Sequence, residues 1–253
     1  MLLTRVIPCL LLKGTGLVKT IKFADPRYVG DVLNAVRIFN DKEVDEIIVL
    51  DIEAHAAPGR IRFDLVQNIA SECFMPMCYG GGVTRVDECK RLFSCGIEKV
   101  SINTAAAANL GLVEAAAREF GSQSIVVGID VRKTLFGKYA VVTHGGAKKQ
   151  RTDVVAYARA VEAAGAGEIL LTSVDRDGTG SGYDLDLLKM VTASVRIPVI
   201  ASGGAGGLSD FKHAVDSGAS AVAAGSMFVF HGRHRAVLIT YPEPRELEQW
   251  LRK

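Results

Sequence analysis

Two apolar runs in this chain end on consecutive glycines. Met75-Pro76-Met77-Cys78-Tyr79 meets Gly80-Gly81-Gly82, and Ile197-Pro198-Val199-Ile200-Ala201-Ser202 meets Gly203-Gly204. Glycines past the end of a buried strand let backbone N–H groups approach a ligand, and clustered N–H groups before a helix favour anions. A second turn accompanies each pair: Asn103-Thr104 after Lys99–Ile102, and Gly225-Ser226 after Ala219–Ala224. Gly81, Gly82, Asn103 and Thr104 then suit one phosphate group. Gly203, Gly204, Gly225 and Ser226 suit another, with Asp177 and Gly178 from the loop after a further apolar run. The same turns also read simply as tight connections. Asp130 closes the run Ser124–Asp130 and is placed for proton transfer, or for capping a helix or pairing with a cation. Asp51 is a weaker candidate of the same kind. At the opposite ends of the runs stand Arg5, Glu46, Lys99 and Glu168. Charges facing into a packed interior are costly unless paired. These four read either as a closed ring of two cations and two anions or as four unrelated surface charges.

The elements that must position these residues repeat along the chain. A shift of 122 places Asp31 on Asp153, Glu46 on Glu168, Pro76 on Pro198, Gly81 on Gly203 and Gly96 on Gly218. The same shift puts Asn103 on Gly225 and Thr104 on Ser226. Eight short apolar runs begin near Arg5, Glu46, Met75, Lys99, Ser124, Glu168, Ile197 and Ala219, separated by helical spacings such as Val32, Ala35, Val36 and Phe39. Such alternation implies a parallel sheet with right-handed crossovers. Eight units in two similar halves predict one α/β domain over residues 1–253. That domain is a (β/α)8 TIM barrel with an internal two-fold duplication, in half-barrels of about 1–122 and 123–253. An open doubly wound sheet is the competing arrangement. In a barrel the chemistry lies at the C-terminal ends of the strands, where the glycine turns and Asp130 fall. The stretch from Gly14 to about Gly30 reads as a loop, His55–Arg60 as another, and Ala236–Tyr241 as strand-like before a last helix over Pro244–Arg252.

Composition narrows the function. The 253 residues carry 30 Lys+Arg against 28 Asp+Glu, a net charge of +2. That leaves no footprint for non-specific nucleic-acid binding. Apolar runs stay short of the roughly 18 residues a membrane span needs, and the first residues do not read as a signal peptide. Cys9, Cys73, Cys78, Cys89 and Cys95 show no metal spacing, so they read as reduced thiols of a cytoplasmic protein. Neither a metal nor a cofactor is expected.

Taken together, several motifs resemble the cyclase subunit of imidazole glycerol phosphate synthase, from about Arg5 to Phe228. They are Ile7-Pro8-Cys9-Leu10, Tyr79-Gly80-Gly81-Gly82, Lys99 through Ala105, Ile129-Asp130, Thr172 through Thr179 and Ile200 through Gly206. The resemblance implies a half-duplicated barrel whose ligand carries two phosphates. It implies a glutaminase subunit docked on the N-terminal face, with ammonia passing through the barrel to the top. Arg5, Glu46, Lys99 and Glu168 match the family's ammonia gate. The family uses two aspartates as acid and base, and the second matches Asp130. The first falls on Leu11, which can neither donate nor accept a proton, and Leu10–Lys13 offers no substitute carboxylate. Lys19 matches a family lysine inside an altered loop. Residues His231–Pro244 depart as well. This pattern looks like a paralogue group that serves sugar amidination for surface polysaccharides, passing ammonia to a separate amidotransferase. The expectation is therefore a diverged, ammonia-delivering subunit. A true histidine-pathway cyclase and a non-catalytic activator of the glutaminase are the alternatives.

Overall fold

The computed structural model describes residues 4–54 and 61–251. The chain starts with β1 (Arg5–Lys13), which continues into a hairpin of β2 (Gly16–Ile21) and β3 (Ala24–Asp31) before α1 (Val32–Asp41). Next come β4 (Ile47–Asp51), α2 (Phe63–Ser71), β5 (Met77–Gly80), α3 (Val86–Ser94), β6 (Lys99–Ile102), α4 (Thr104–Ala108) and α5 (Gly111–Phe120). The second half repeats the opening: β7 (Ile125–Lys133) continues into β8 (Tyr139–Thr143) and β9 (Lys148–Lys149) before α6 (Val154–Ala163). Then follow β10 (Glu168–Ser173), α7 (Leu185–Thr192), β11 (Val199–Ser202), α8 (Leu208–Asp216), β12 (Ala221–Ala224) and α9 (Ser226–Val229). A short ribbon of β13 (Phe230–His231) and β14 (Ala236–Val237) leads to α10 (Pro244–Leu251).

Local chemistry accounts for the helix starts. Asp31 caps α1 by accepting from the Asn34 N–H, and Asp153 caps α6 by accepting from Val155 and Ala156. Each side chain satisfies an N–H that the first turn leaves unpaired. In α1, Val32, Ala35, Val36 and Phe39 are buried, the 3.6-residue stripe that a helix presents to a sheet.

β1, β4, β5, β6, β7, β10, β11 and β12 are parallel neighbours in that order, and β12 pairs back onto β1. The sheet is therefore a closed eight-stranded barrel, and an open doubly wound sheet is excluded. Alternation along the strands separates two cores. Val6, Leu10, Val49, Val127 and Leu171 face the helices. Ile7, Cys9, Ile48, Cys78, Val126, Leu170, Ile200, Ala221 and Ala223 fill the interior.

Registers of the two halves correspond strand by strand. Leu50 stands beside Leu11, and Thr172, 122 residues after Leu50, stands beside Asp130. Leu11 also forms the pair of the β1–β2 hairpin nearest the barrel, with Val18, as Asp130 does with Val142 in the β7–β8 hairpin. Leu11 thus occupies the place of Asp130 in the other half, at an offset of 119 rather than 122.

Three expectations need correction. The Gly14–Gly30 stretch is a β-hairpin, not a loop, because β2 pairs with both β1 and β3 and its residues Leu17, Val18, Lys19 and Thr20 are all buried, on both faces of the strand. The Ala236–Tyr241 run contributes only two strand residues. Tyr241 instead turns inward, stacking on Phe228 at 5.3 Å and donating its hydroxyl to the Val6 carbonyl. Asn103-Thr104 is a helix start and not a bare turn, since Thr104 opens α4. His55–Arg60 and the last residue of the predicted terminal helix, Arg252, lie outside the described residues.

Candidate active site

At the C-terminal mouth, β11 and β12 end on the second glycine cluster. A Cβ on Gly203 would sit 2.6 Å from the Ser173 carbonyl oxygen, and one on Gly204 2.2 Å from that of Gly182. Both positions also have positive φ, so only glycine fits there. A Cβ on Gly225 would meet the Lys19 Nζ at 2.4 Å. These turns, with Ser226, Asp177, Gly178, Leu11 and Lys19, enclose a cavity of about 40 Å³. The β2–β3 hairpin helps roof it: the Lys22 N–H donates to the Asp177 carbonyl at 2.9 Å, and the Thr20 hydroxyl to its carboxylate at 3.0 Å.

Lys19 is the cation of this pocket. Its ammonium is buried and donates to the Cys9 carbonyl. Burial pushes its pKa down, against the raising influence of Cys9 and Asp177. Burial likewise holds the Asp177 carboxyl above the usual range, while the Thr20 bond and Lys19 pull it down. The sequence matches this lysine to a family lysine inside an altered loop, and the structure places it in strand β2, lining the pocket.

Across the ring of strands, β5 ends on Gly81 and Gly82, again at positive φ. Cβ atoms there would meet the Asp51 carbonyl oxygen at 2.5 Å and the Ala54 side chain at 2.8 Å. Beside them the side chains of Asn103 and Thr104 are occupied within the protein. The Asn103 amide donates to Asp130 Oδ2 at 2.9 Å, and the Thr104 hydroxyl accepts from the His144 N–H at 3.1 Å. Asp51 accepts from Arg62 at 2.8 Å and from the Glu53 and Ala54 N–H groups, so it orders its own loop.

Asp130 sits half-buried at the mouth. Burial pushes its pKa up to about 7; the Asn103 and Thr172 hydrogen bonds work against that rise, and Asp177 adds to it. A carboxyl poised near neutrality is matched to acid–base work. By sequence Thr172 is only the start of a motif and not a site residue, yet the inward alternation Glu168-Leu170-Thr172 carried the signal. The shift also has a consequence for stability. An unfolded aspartate titrates near 3.9. Below about pH 4 both states hold the proton and no penalty arises. Between about pH 4 and 7 the folded state retains a proton that the unfolded state has released, so stability falls as pH rises. Asp130→Asn removes that cost. It is expected to raise stability at pH 8 by on the order of 4 kcal/mol, a gain that shrinks toward pH 5. Melting curves across pH 5–8 check this, and a pH-independent gain would contradict it.

At the N-terminal end the four charges close into a ring. Lys99 Nζ lies 3.0 Å from both Glu46 and Glu168, and Arg5 bonds the same two carboxylates. Glu46 is only 2% exposed and is paired with both cations. Burial alone would lower the pKa of Arg5, but Glu46 and Glu168 raise it. The apolar interior cluster lies between this ring and the mouth.

The model of the histidine biosynthesis protein family matches residues 5–235. The chain is 51% identical to imidazole glycerol phosphate synthase subunit hisF2 of Pseudomonas aeruginosa, across 96% of this chain and 98% of that one. It is 46% identical to subunit hisF3 of Vibrio vulnificus, across 99% and 97%, and both of those names are given as provisional. Identity is 42% to subunit HisF of Alkaliphilus metalliredigens, across 91% and 92%, whose name carries no such qualifier. With a parallel barrel closed over these residues, the chain belongs to the histidine biosynthesis protein family, among the homologues of the HisF cyclase subunit of imidazole glycerol phosphate synthase.

Proposed function

We propose that this chain is the barrel subunit of a glutamine-dependent pair, receiving ammonia at its N-terminal face and delivering it at the mouth for sugar amidination, with little cyclase activity of its own. The observation that carries the reading is Leu11 in the register position of Asp130. Losing one positioned acid–base group costs on the order of 10²–10⁴ in rate. The ring of Arg5, Glu46, Lys99 and Glu168 supports a gate for ammonia, and the apolar interior supports its passage as the neutral molecule. Phe74, 86% exposed just before β5, lies on the N-terminal face where the glutaminase would dock. Gly81, Gly82, Gly203, Gly204 and Gly225 keep the backbone approach that two phosphate sites need. Ser226 and Asp177-Gly178 complete the second site, while Asn103 and Thr104 contribute main-chain groups to the first. In this reading the two halves, about 1–122 and 123–253, are copies of one half-barrel, and the protein works in the cytoplasm.

A second reading, a working cyclase of histidine biosynthesis, draws support from Asp130, whose raised pKa suits a lone acid–base group. Complementation separates the two. In a strain lacking the cyclase subunit, this chain with its glutaminase is expected not to restore growth without histidine. Near-normal growth would overturn the preferred reading.

A further inference from the structure

The β7–β8 hairpin stands beyond the mouth and combines two unusual features. Its turn is tightly made: the Gly137 N–H donates to the Thr134 carbonyl at 2.9 Å, and the Thr134 N–H to the Lys138 carbonyl at 2.8 Å. Gly137 takes the left-handed conformation that such a hairpin requires. The two residues at its tip are Leu135 and Phe136, 102% and 92% exposed. Turn positions of this kind ordinarily take polar residues or Gly and Pro. Large apolar side chains held outward by a closed turn contribute nothing to this fold.

Charge is the second feature. Residues 131–152 contain six Lys and Arg and no Asp or Glu, in a chain whose net charge is only +2. Arg132 and Lys133 are paired with Asp175 and Asp184 at 3.8 and 3.6 Å. Lys138, Lys148, Lys149 and Arg151 are exposed, with no ion-pair partner among the described residues.

We propose that this hairpin docks an acidic protein surface on the mouth, with Leu135 and Phe136 entering an apolar pocket and the free lysines meeting its carboxylates. An aromatic anchor surrounded by charge is the usual make-up of a protein–protein hot spot and its rim. Two apolar side chains are a weak membrane anchor by comparison, and nucleic-acid backbone gives them nothing to fill. The proposal rests on the reading above only in naming the docked protein as the acceptor of the ammonia.

The test places the photo-reactive amino acid p-benzoylphenylalanine at position 136 in the full chain, expressed with its glutaminase in the native host. Irradiation is expected to join it to one other protein, at a site flanked by acidic residues. Lys138→Glu, Lys148→Glu and Lys149→Glu together should lower that yield by about tenfold or more, since like charges facing across an interface repel. Changing the flanking acidic residues of the captured protein to lysine should restore it. Attachment to a second copy of this chain, to lipid or to nothing would overturn the proposal. So would a yield indifferent to the charge reversals. The same probe at position 74 reports on the glutaminase separately. Capture at 136 without capture at 74 would leave this proposal standing while the glutaminase reading fails.

Discussion

Leu11→Asp is expected to raise cyclase turnover by about 100-fold over a very low parental rate. In the reading proposed above, the barrel retains the other half of a two-carboxylate site. Asp130 is half-buried at the mouth with a pKa raised to about 7, and Leu11 occupies the corresponding register position in the other half. A carboxylate at 11 would enter the cavity that Lys19 lines, where the Lys19 ammonium donates to the Cys9 carbonyl. A new buried charge is costly alone, but an adjacent ammonium offsets much of that cost. Turnover of the substrate of the related imidazole glycerol phosphate synthase cyclases, with ammonium salts as nitrogen source, measures the effect without the glutaminase. Adding Asp130→Asn should abolish the gain, because paired acid–base groups act as a unit. An efficient parent, unchanged by Leu11→Asp, would contradict the account.

Charge reversal at Lys99 is expected to separate glutamine hydrolysis from ammonia use. Lys99 bonds both carboxylates of the ring, and its replacement by glutamate leaves three acids around Arg5. Breaking a buried pair from one side typically costs about 3–5 kcal/mol, so Lys99→Met serves as the companion variant that adds no charge. In both, ammonia derived from glutamine should escape to solvent, and product formed per glutamine consumed should fall several-fold. Product formation from added ammonium salts should persist in Lys99→Met. An unchanged ratio in both variants would remove the gate assignment.

Much of the architecture was legible because burial writes itself into local pattern. β6 and β10 begin and end where the apolar runs from Lys99 and Glu168 predict, since an inward charge opens each and a polar turn follows. The helix starts at Asp31 and Asp153 were equally legible, a cap being a contact across two or three residues. The β2–β3 hairpin was not. Its glycines at 14, 16 and 30 read as loop, and what makes it a sheet is its burial over the mouth. Asn103 shows the same limit. As a turn residue it looked free for a ligand, yet its amide is spent on Asp130, 27 positions away.

By itself, then, the sequence determined the alternation of strands and helices, the glycines at the mouth and the absence of a carboxylate at position 11. These follow from residue type and from periods of two and 3.6, which neighbouring residues define. Closure of the barrel, the completed ring of Arg5, Glu46, Lys99 and Glu168, and the raised pKa of Asp130 belong to the tertiary structure. Each depends on groups tens of residues apart being desolvated together, and no local pattern encodes how much water that contact excludes.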